Sequence, residues 1–440
     1  MSLILTKEIK DQIRTERELA ILKEDNNIIS IGYGYKTTDG ESTGEPAIVY
    51  NVAVKKPQSE LQEGEILPSQ LNVGEATVKT DVQELGVIER LSCNSGCGEN
   101  KGAGSALNRT TTRPLKGGLS ITSTNNSSSV GTFGMIVKDV ETEALVGLTN
   151  HHVTIEDAFF TSERDLAGVK KNDYSPTSDI YQDGEGTLPS TDIIGRSLRY
   201  VPIFSQASGL RNKVDAAMFS IDSSTIDLAE SWKQIGLESD ILVQPPFATT
   251  VEIDALLATN PQLYSSGRTT GPKGGASCPL KLFQMGVNLS ISYDLQGVST
   301  TCIVEDVIGY FKPPLENPET QDPAEYGYCC NPVRGGDSGS ALFADIGGTM
   351  KIIGLVFAGG GSGCDGGDNS YTYGYACRID EVASALGITS WDSGDLLKTV
   401  NTSTIEYKTT SGGSSDKTST CDSKTFWQVG LTDSLPEDNC

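Results

Sequence analysis

A tight turn around one serine is the sequence feature that most constrains the local fold. Residues 335–340 read Gly-Gly-Asp-Ser-Gly-Ser and the strand-like run 341–343 follows, so Ser338 is predicted to lie in a turn that leads into a strand. Gly336 has no Cβ, so another group could approach its backbone closely. The amide groups of Gly336 and Ser338 could then point at one oxygen atom, which is the arrangement that stabilises an oxyanion.

A serine hydroxyl needs a base before it becomes a good nucleophile. The chain has only two histidines, His151 and His152, so a histidine base for Ser338 must be one of them; a lysine or a carboxylate is the alternative. Both follow the strand-like run 144–148. Neighbouring residues of an extended segment point to opposite sides, so we expect only one histidine to face the serine.

Asp215 lies inside the otherwise apolar segment 214–219. Burying a carboxylate there is costly unless its charge is paired or hydrogen-bonded, and a histidine would be a suitable partner. Asp222, in a more polar context, is the alternative.

Four segments of the chain resemble motifs of the chymotrypsin (trypsin-like) serine protease family, and the order His152, Asp215, Ser338 is the order of that family. The similar segments are 148–153 (LTNHHV), 214–217 (VDAA), 336–340 (GDSGS) and 354–359 (GLVFAG). Further segments are similar to a bacterial-type, intracellular-looking branch with an extra N-terminal domain: 113–118 (RPLKGG), 130–134 (VGTFG), 266–271 (SGRTTG) and 378–386 (RIDEVASAL).

The resemblance implies the role of each catalytic residue. His152 would be the general base, Asp215 would orient it, and Ser338 would be the nucleophile. The amides of Gly336 and Ser338 would form the oxyanion hole, and Asp337 would support the turn. No metal or cofactor is implied.

The resemblance also implies how a substrate would bind. Phe357, Ala358 and Gly359 would line the primary pocket and pair with the substrate backbone as an added strand. Pro332, six residues before Ser338, stands where an acidic residue would favour arginine or lysine. We therefore expect an uncharged, apolar substrate side chain.

The implied fold is mostly β, with a double β-barrel, trypsin-like domain preceded by a small α+β domain. The sequence itself predicts a helix over 5–24 and strands over 28–35, 47–56 and 76–87, because of their apolar periodicity. This first unit could be an inhibitory pro-segment, a substrate- or partner-binding module, or a packing domain. The predicted divisions are an N-terminal domain (1–92), a linker (93–113), a protease domain (114–395, with barrels at 117–235 and 236–395) and a flexible tail (396–440).

Charge and composition limit the partners. The net charge of −24 argues against nucleic acid and anionic membrane surfaces, whereas a protein or peptide substrate is compatible with it. No signal peptide and no membrane-spanning run is visible, so the sequence predicts a cytoplasmic protein.

The ten cysteines are too few for a disulfide scaffold in a chain of this length. The resemblance suggests that Cys329 or Cys330 pairs with Cys364 around the serine turn. Cys93 and Cys97 could form half of a four-cysteine zinc site, although buried or paired thiols are the simpler interpretation.

The leading functional hypothesis is a serine endopeptidase. The alternatives are a catalytically silent binding or scaffold protein on a protease fold and an esterase-like hydrolase. The turn lacks the Gly-x-Ser-x-Gly pattern of many esterases, which disfavours the esterase. No activation sequence precedes residues 117–118, so we expect a constitutive or partner-gated site.

Overall fold

The structure is a computed structural model of the 440-residue chain. It describes residues 4–23, 27–38, 41–91, 107–124, 126–154, 159–160, 178–182, 192–275, 278–295, 298–313, 331–361 and 370–391.

The helices are α1 (Lys7–Leu22), α2 (His151–Thr154), α3 (Thr250–Asp254), α4 (Leu256–Thr259) and α5 (Ile379–Leu386). The strands of the first half are β1 (Ile28–Thr38), β2 (Glu41–Val52), β3 (Gln70–Val73), β4 (Ala76–Glu84), β5 (Ile88–Arg90), β6 (Ser120–Ser123), β7 (Asn126–Thr132), β8 (Met135–Asp139), β9 (Leu145–Thr149), β10 (Phe159–Phe160), β11 (Asp179–Tyr181), β12 (Ile193–Tyr200), β13 (Ile203–Phe204) and β14 (Ala217–Ser220). Those of the second half are β15 (Leu263–Gly267), β16 (Gly271–Lys273), β17 (Lys281–Leu295), β18 (Val298–Phe311), β19 (Val333–Arg334), β20 (Ala341–Ile346), β21 (Thr349–Gly360), β22 (Ser370–Tyr371), β23 (Tyr373–Arg378) and β24 (Ile388–Thr389).

Most strands belong to one of two large sheets. The first sheet has the order β24-β8-β9-β14-β12-β11-β6-β7, and the second has the order β16-β15-β20-β21-β23-β18-β17-β1-β2-β4-β3. Strand β5 lies beside β17 and β21 of the second sheet. Strands β10 and β13 form a two-stranded sheet, and β19 and β22 form another. The described chain is therefore mostly β, with most of its strands in two large sheets, and this confirms the predicted fold class.

Apolar side chains between and along these sheets form the core. One large cluster includes residues from both sheets and from α1, such as Ile13, Leu148 and Leu355. A smaller cluster consists of residues from the first sheet and from segments that pack against it, and in it the rings of Phe133 and Phe219 lie with their centroids 5.7 Å apart. Burial of this apolar surface is the main favourable contribution to folding.

The helix and strands predicted near the N-terminus are present in the structure. Helix α1 begins after Thr6, whose side chain accepts a hydrogen bond from Ile9 N, and its buried face carries Ile9 and Ile13 as the spacing predicts. Strand β1 pairs antiparallel with β17, which joins the first 90 residues to the second sheet. The proposed domain boundaries stay predictions.

Several sequence expectations concern residues outside the described ranges. They include the tail 396–440, most of the segment 156–189, which its polar residues, Gly and Pro predict to be a long loop near His152, and the cysteines at 93, 97, 329, 330 and 364. Among the described cysteines, Cys278 forms a disulfide, whereas Cys302 and Cys377 are buried thiols. Among the described helices, none is both long and apolar enough to cross a membrane.

Candidate active site

Strand pairing brings His152 and Asp215 together although they are 63 residues apart. Thr149 at the end of β9 pairs with Ala217 at the start of β14, so the residues flanking these strand ends become neighbours. Asn150 Nδ2 donates to the carbonyl oxygen of Asp215 at 2.5 Å, which fixes the two turns to each other. His152 Nδ1 then lies 2.5 Å from Asp215 Oδ2, and its backbone N–H donates to Asp215 Oδ1 at 3.3 Å.

Two residues that the sequence analysis did not single out complete the environment of the fully buried Asp215. The Tyr293 hydroxyl on β17 donates to Asp215 Oδ2 at 2.9 Å, and Asp215 N–H donates to Cys377 Sγ at 3.2 Å. Burial alone would raise the pKa of Asp215. The charge of His152 and the hydrogen bonds from His152 and Tyr293 outweigh it and hold this pKa below its ordinary value.

Ser338 completes a chain of three side chains. Its Oγ lies 2.7 Å from His152 Nε2, on the ring edge opposite the one that contacts Asp215. Both sheets hold the turn: Thr132 N–H donates to the Ser338 carbonyl oxygen at 2.7 Å, and Gly339 N–H donates to the Val356 carbonyl oxygen at 2.9 Å. Ser338 and His152 are both almost fully buried.

The conformation of the turn requires glycine at position 336. Its φ of 92° lies in the left-handed region that side chains disfavour, and a Cβ there would come within 2.6 Å of Thr269 Oγ1. The Gly336 N–H donates at 3.2 Å to the carbonyl oxygen of Leu91, the residue after β5. Residues 1–91 are called the N-terminal unit from here on. One of the two amides predicted for the oxyanion hole therefore has a carbonyl oxygen as its acceptor.

Asp337 stabilises the turn by accepting backbone hydrogen bonds, which is the supporting role expected from the sequence. Its buried carboxylate accepts backbone hydrogen bonds from Thr269 at 2.8 Å, Thr270 at 3.0 Å and Arg334 at 2.9 Å. Burial raises the pKa of Asp337, and these backbone hydrogen bonds oppose that shift.

The second histidine and the alternative aspartate have other surroundings. His151 is buried with its ring 4.9 Å from that of Tyr200, and burial lowers its pKa to about 4. Asp222 caps a short helical turn by accepting from Ser224 N–H at 2.9 Å. The expectation that the histidines lie on an extended segment was wrong: β9 ends at Thr149, and both lie in α2. Successive helical residues point about 100° apart, so the two rings still diverge.

The predicted substrate-binding residues lie on β21 and pair with the chain's own segment 88–91. Ala358 pairs antiparallel with Arg90, and Gly359 pairs with Glu89. Leu91 N–H donates to the Phe357 carbonyl oxygen at 3.0 Å.

No group of three His, Cys, Asp or Glu side chains in the described ranges is arranged to hold a metal ion.

The comparisons with known proteins found similar solved structures. No protein-family model matches the chain, and no curated protein matches its sequence. The chain is similar to a glutamic-acid-specific serine protease described as using a histidine triad in substrate binding (14% identity, TM-score 0.33, covering 63% of this chain and 100% of that chain). It is also similar to Nocardiopsis protease (14% identity, TM-score 0.35, covering 63% and 99%).

A third neighbour is an inactive chimeric murine norovirus NS6 protease, with 11% identity, a TM-score of 0.21 and coverage of 55% of this chain and 91% of that chain. At these identities and TM-scores the likenesses establish neither a family nor an activity for this chain.

Proposed function

We propose that the protein is a serine endopeptidase in which His152, Asp215 and Ser338 form the catalytic triad. One observation carries the proposal: the His152 ring bridges the other two side chains, 2.7 Å from Ser338 Oγ and 2.5 Å from Asp215 Oδ2. A nucleophile, a base and a group that orients the base, each within hydrogen-bond distance of the next, are what acyl transfer from a peptide requires.

The proposed reaction follows from these contacts. Ser338 Oγ adds to the substrate carbonyl carbon while His152 Nε2 accepts the hydroxyl proton. Asp215 keeps the Nδ1 proton of His152 directed at its carboxylate and stabilises the imidazolium that forms. The Gly336 and Ser338 amides would stabilise the oxyanion, and His152 then returns the proton to the leaving amine. A water molecule hydrolyses the acyl-enzyme by the same route.

A fluorophosphonate probe, which phosphonylates activated serines, tests the proposal in the full-length protein. We expect labelling at Ser338, located by mass spectrometry, and its loss in both Ser338→Ala and His152→Ala. Ser340→Ala is the matched control, because this buried serine lies two residues away and its hydroxyl contacts Ser265 instead of the triad. Cleavage of an unfolded protein substrate would then distinguish a peptidase from an esterase.

The proposal would be overturned if no labelling occurred over several hours, both in the full chain and in Ile88→Asp, a substitution that should release β5 from its pairing with β21. That result would favour the alternative of a catalytically silent binding protein.

A further inference from the structure

The last residues of the N-terminal unit, 88–91, lie between β21 and β17 and lead to Ser338. The space between these two strands is called the groove. Strand β5 lies between β21, with which it pairs antiparallel, and β17, with which it pairs in parallel through Glu89 and Ser292. Gly361, the residue after β21, donates from its N–H to the Val87 carbonyl oxygen at 3.3 Å. The contact between β21 and the segment around β5 therefore extends over several residues. An extended peptide added to a sheet edge in this way is a common mode of peptide recognition.

Side chains of β5 also contact the groove. Ile88 is buried, the Glu89 carboxylate accepts from the Tyr371 hydroxyl at 3.1 Å, and the Arg90 guanidinium lies 5.9 Å from the centre of the Tyr293 ring. The segment is thus held by its backbone and by side chains on both of its faces.

Leu91 is positioned at the triad itself. Its side chain is fully buried, and its N–H donates a hydrogen bond to the Phe357 carbonyl oxygen. Its carbonyl oxygen lies 3.2 Å from Gly336 N and 2.7 Å from Ser338 Oγ, which in turn lies 2.7 Å from His152 Nε2. The Leu91 carbonyl carbon, one bond from that oxygen, is therefore the candidate electrophile for Ser338 Oγ, and one amide of the proposed oxyanion hole already donates to its oxygen.

We propose that the protein cleaves its own chain after Leu91, and that a leucine-type apolar side chain before the scissile bond is what this site accepts. The proposal rests on the proposed function and identifies both a processing site and a substrate class for it. The sequence expectation of an apolar substrate side chain agrees with the leucine found there.

The proposed step balances without a cofactor. Ser338 Oγ bonds to the Leu91 carbonyl carbon, His152 Nε2 takes the hydroxyl proton, and the bond to the nitrogen of Ser92 breaks as His152 protonates that nitrogen. Water then adds to the Leu91–Ser338 ester, which leaves a carboxylate on Leu91 and restores the hydroxyl of Ser338. The products are residues 1–91 and 92–440.

Intact mass spectrometry and N-terminal sequencing of the purified full-length protein test the proposal. We expect two fragments whose masses match cleavage after Leu91, and an intact chain in Ser338→Ala. Leu91→Asp should abolish the cut, because the pocket that buries the leucine would have to bury a charge. Leu91→Met should retain it. Leu242→Asp is the matched control, because this leucine is 73% exposed and the same substitution there should leave the cut unchanged.

The molecularity of the reaction gives a second criterion. Because the segment is already bound within its own chain, the cleaved fraction at a given time should not depend on protein concentration over a hundredfold range. Added wild-type protein should leave the Ser338→Ala chain intact.

The possible failures are distinguishable. If the probe labels Ser338 while the wild-type chain stays intact, or is cut elsewhere, self-cleavage after Leu91 is wrong and the peptidase proposal stands. If Ser338 is not labelled in any form, both proposals fail. A Leu91→Asp chain that is still cut after residue 91 at the wild-type rate would overturn the leucine preference.

Discussion

At the scale of single residues, Tyr293 offers a test of how Asp215 is supported. Its hydroxyl is one of the groups that lower the pKa of Asp215, so Tyr293→Phe should raise that pKa. A hydrogen bond to a charged group contributes about 1.5 kcal/mol, so we expect about tenfold slower labelling of Ser338 by the probe. Because His152 still contacts the carboxylate, labelling should not be abolished.

The same substitution has a consequence for stability at low pH. A carboxylate whose pKa is lowered by folding stabilises the protein above its unfolded pKa, and this contribution is lost as the pH falls through the folded pKa. Without the Tyr293 hydroxyl the contribution of Asp215 is smaller and is lost at a higher pH. Circular dichroism should therefore show acid unfolding of Tyr293→Phe at a higher pH than wild type.

Tyr33→Phe is the control for both measurements. It removes another buried tyrosine hydroxyl, on β1, that is not bonded to Asp215. Equal effects of the two substitutions on labelling and on the acid midpoint would contradict a specific role for Tyr293.

The sequence predicted three residues of the candidate site that the structure brings together, since His152, Asp215 and Ser338 each lie in a local motif. Tyr293 lies in no motif: it continues the buried alternation of Leu289 and Ile291 on β17, as a core residue would. Its contact with Asp215 depends on how two distant strands pack, and a local pattern does not contain that information.

At the scale of elements, β5 shows why strand positions were easier to predict than strand neighbours. Strands β1, β2 and β4 are nine to twelve residues long and each contains an alternating or apolar run, whereas β5 has three residues and one buried side chain. Its position comes from pairing with β17 and β21, about 200 and 270 residues further along the chain. Sequence patterns therefore could not predict that β5 lies in the groove.

Because Ile88 is buried, substituting it tests whether β5 limits access to Ser338. Full burial of an isoleucine contributes about 2 kcal/mol, and Ile88→Asp would also bury a charge. We expect the strand to leave the groove, the self-cleavage to be lost, and probe labelling of Ser338 to become about tenfold faster or more. Labelling rates followed by gel fluorescence would measure this.

Glu89→Gln, on the exposed side of the same strand, is the control and should label at the wild-type rate, because glutamine can still accept from Tyr371. Unchanged labelling of Ile88→Asp, with its fold intact by circular dichroism, would mean that β5 does not limit access to Ser338.

At the scale of the whole molecule, the N-terminal unit has contacts with the rest of the protein that do not depend on the bond after Leu91. Strand β1 pairs antiparallel with β17 over residues 30–34, and the buried face of α1 belongs to the main core cluster. Lys10 on α1 lies 2.9 Å from Asp254 and 3.1 Å from Asp306, two carboxylates that the buried Arg378 also contacts. Cleavage removes none of these interactions.

We therefore expect the fragments 1–91 and 92–440 to stay together after cleavage. Under native conditions they should co-elute in gel filtration at the volume of the uncut Ser338→Ala chain, and they should separate only in denaturant. The new carboxylate of Leu91 would remain beside Ser338, so the cut protein should act slowly on added substrates, and Ile88→Asp should act faster. Separate elution of residues 1–91 in native buffer would contradict this prediction, and it would mean that sheet pairing and core contacts hold the unit only while the chain is continuous.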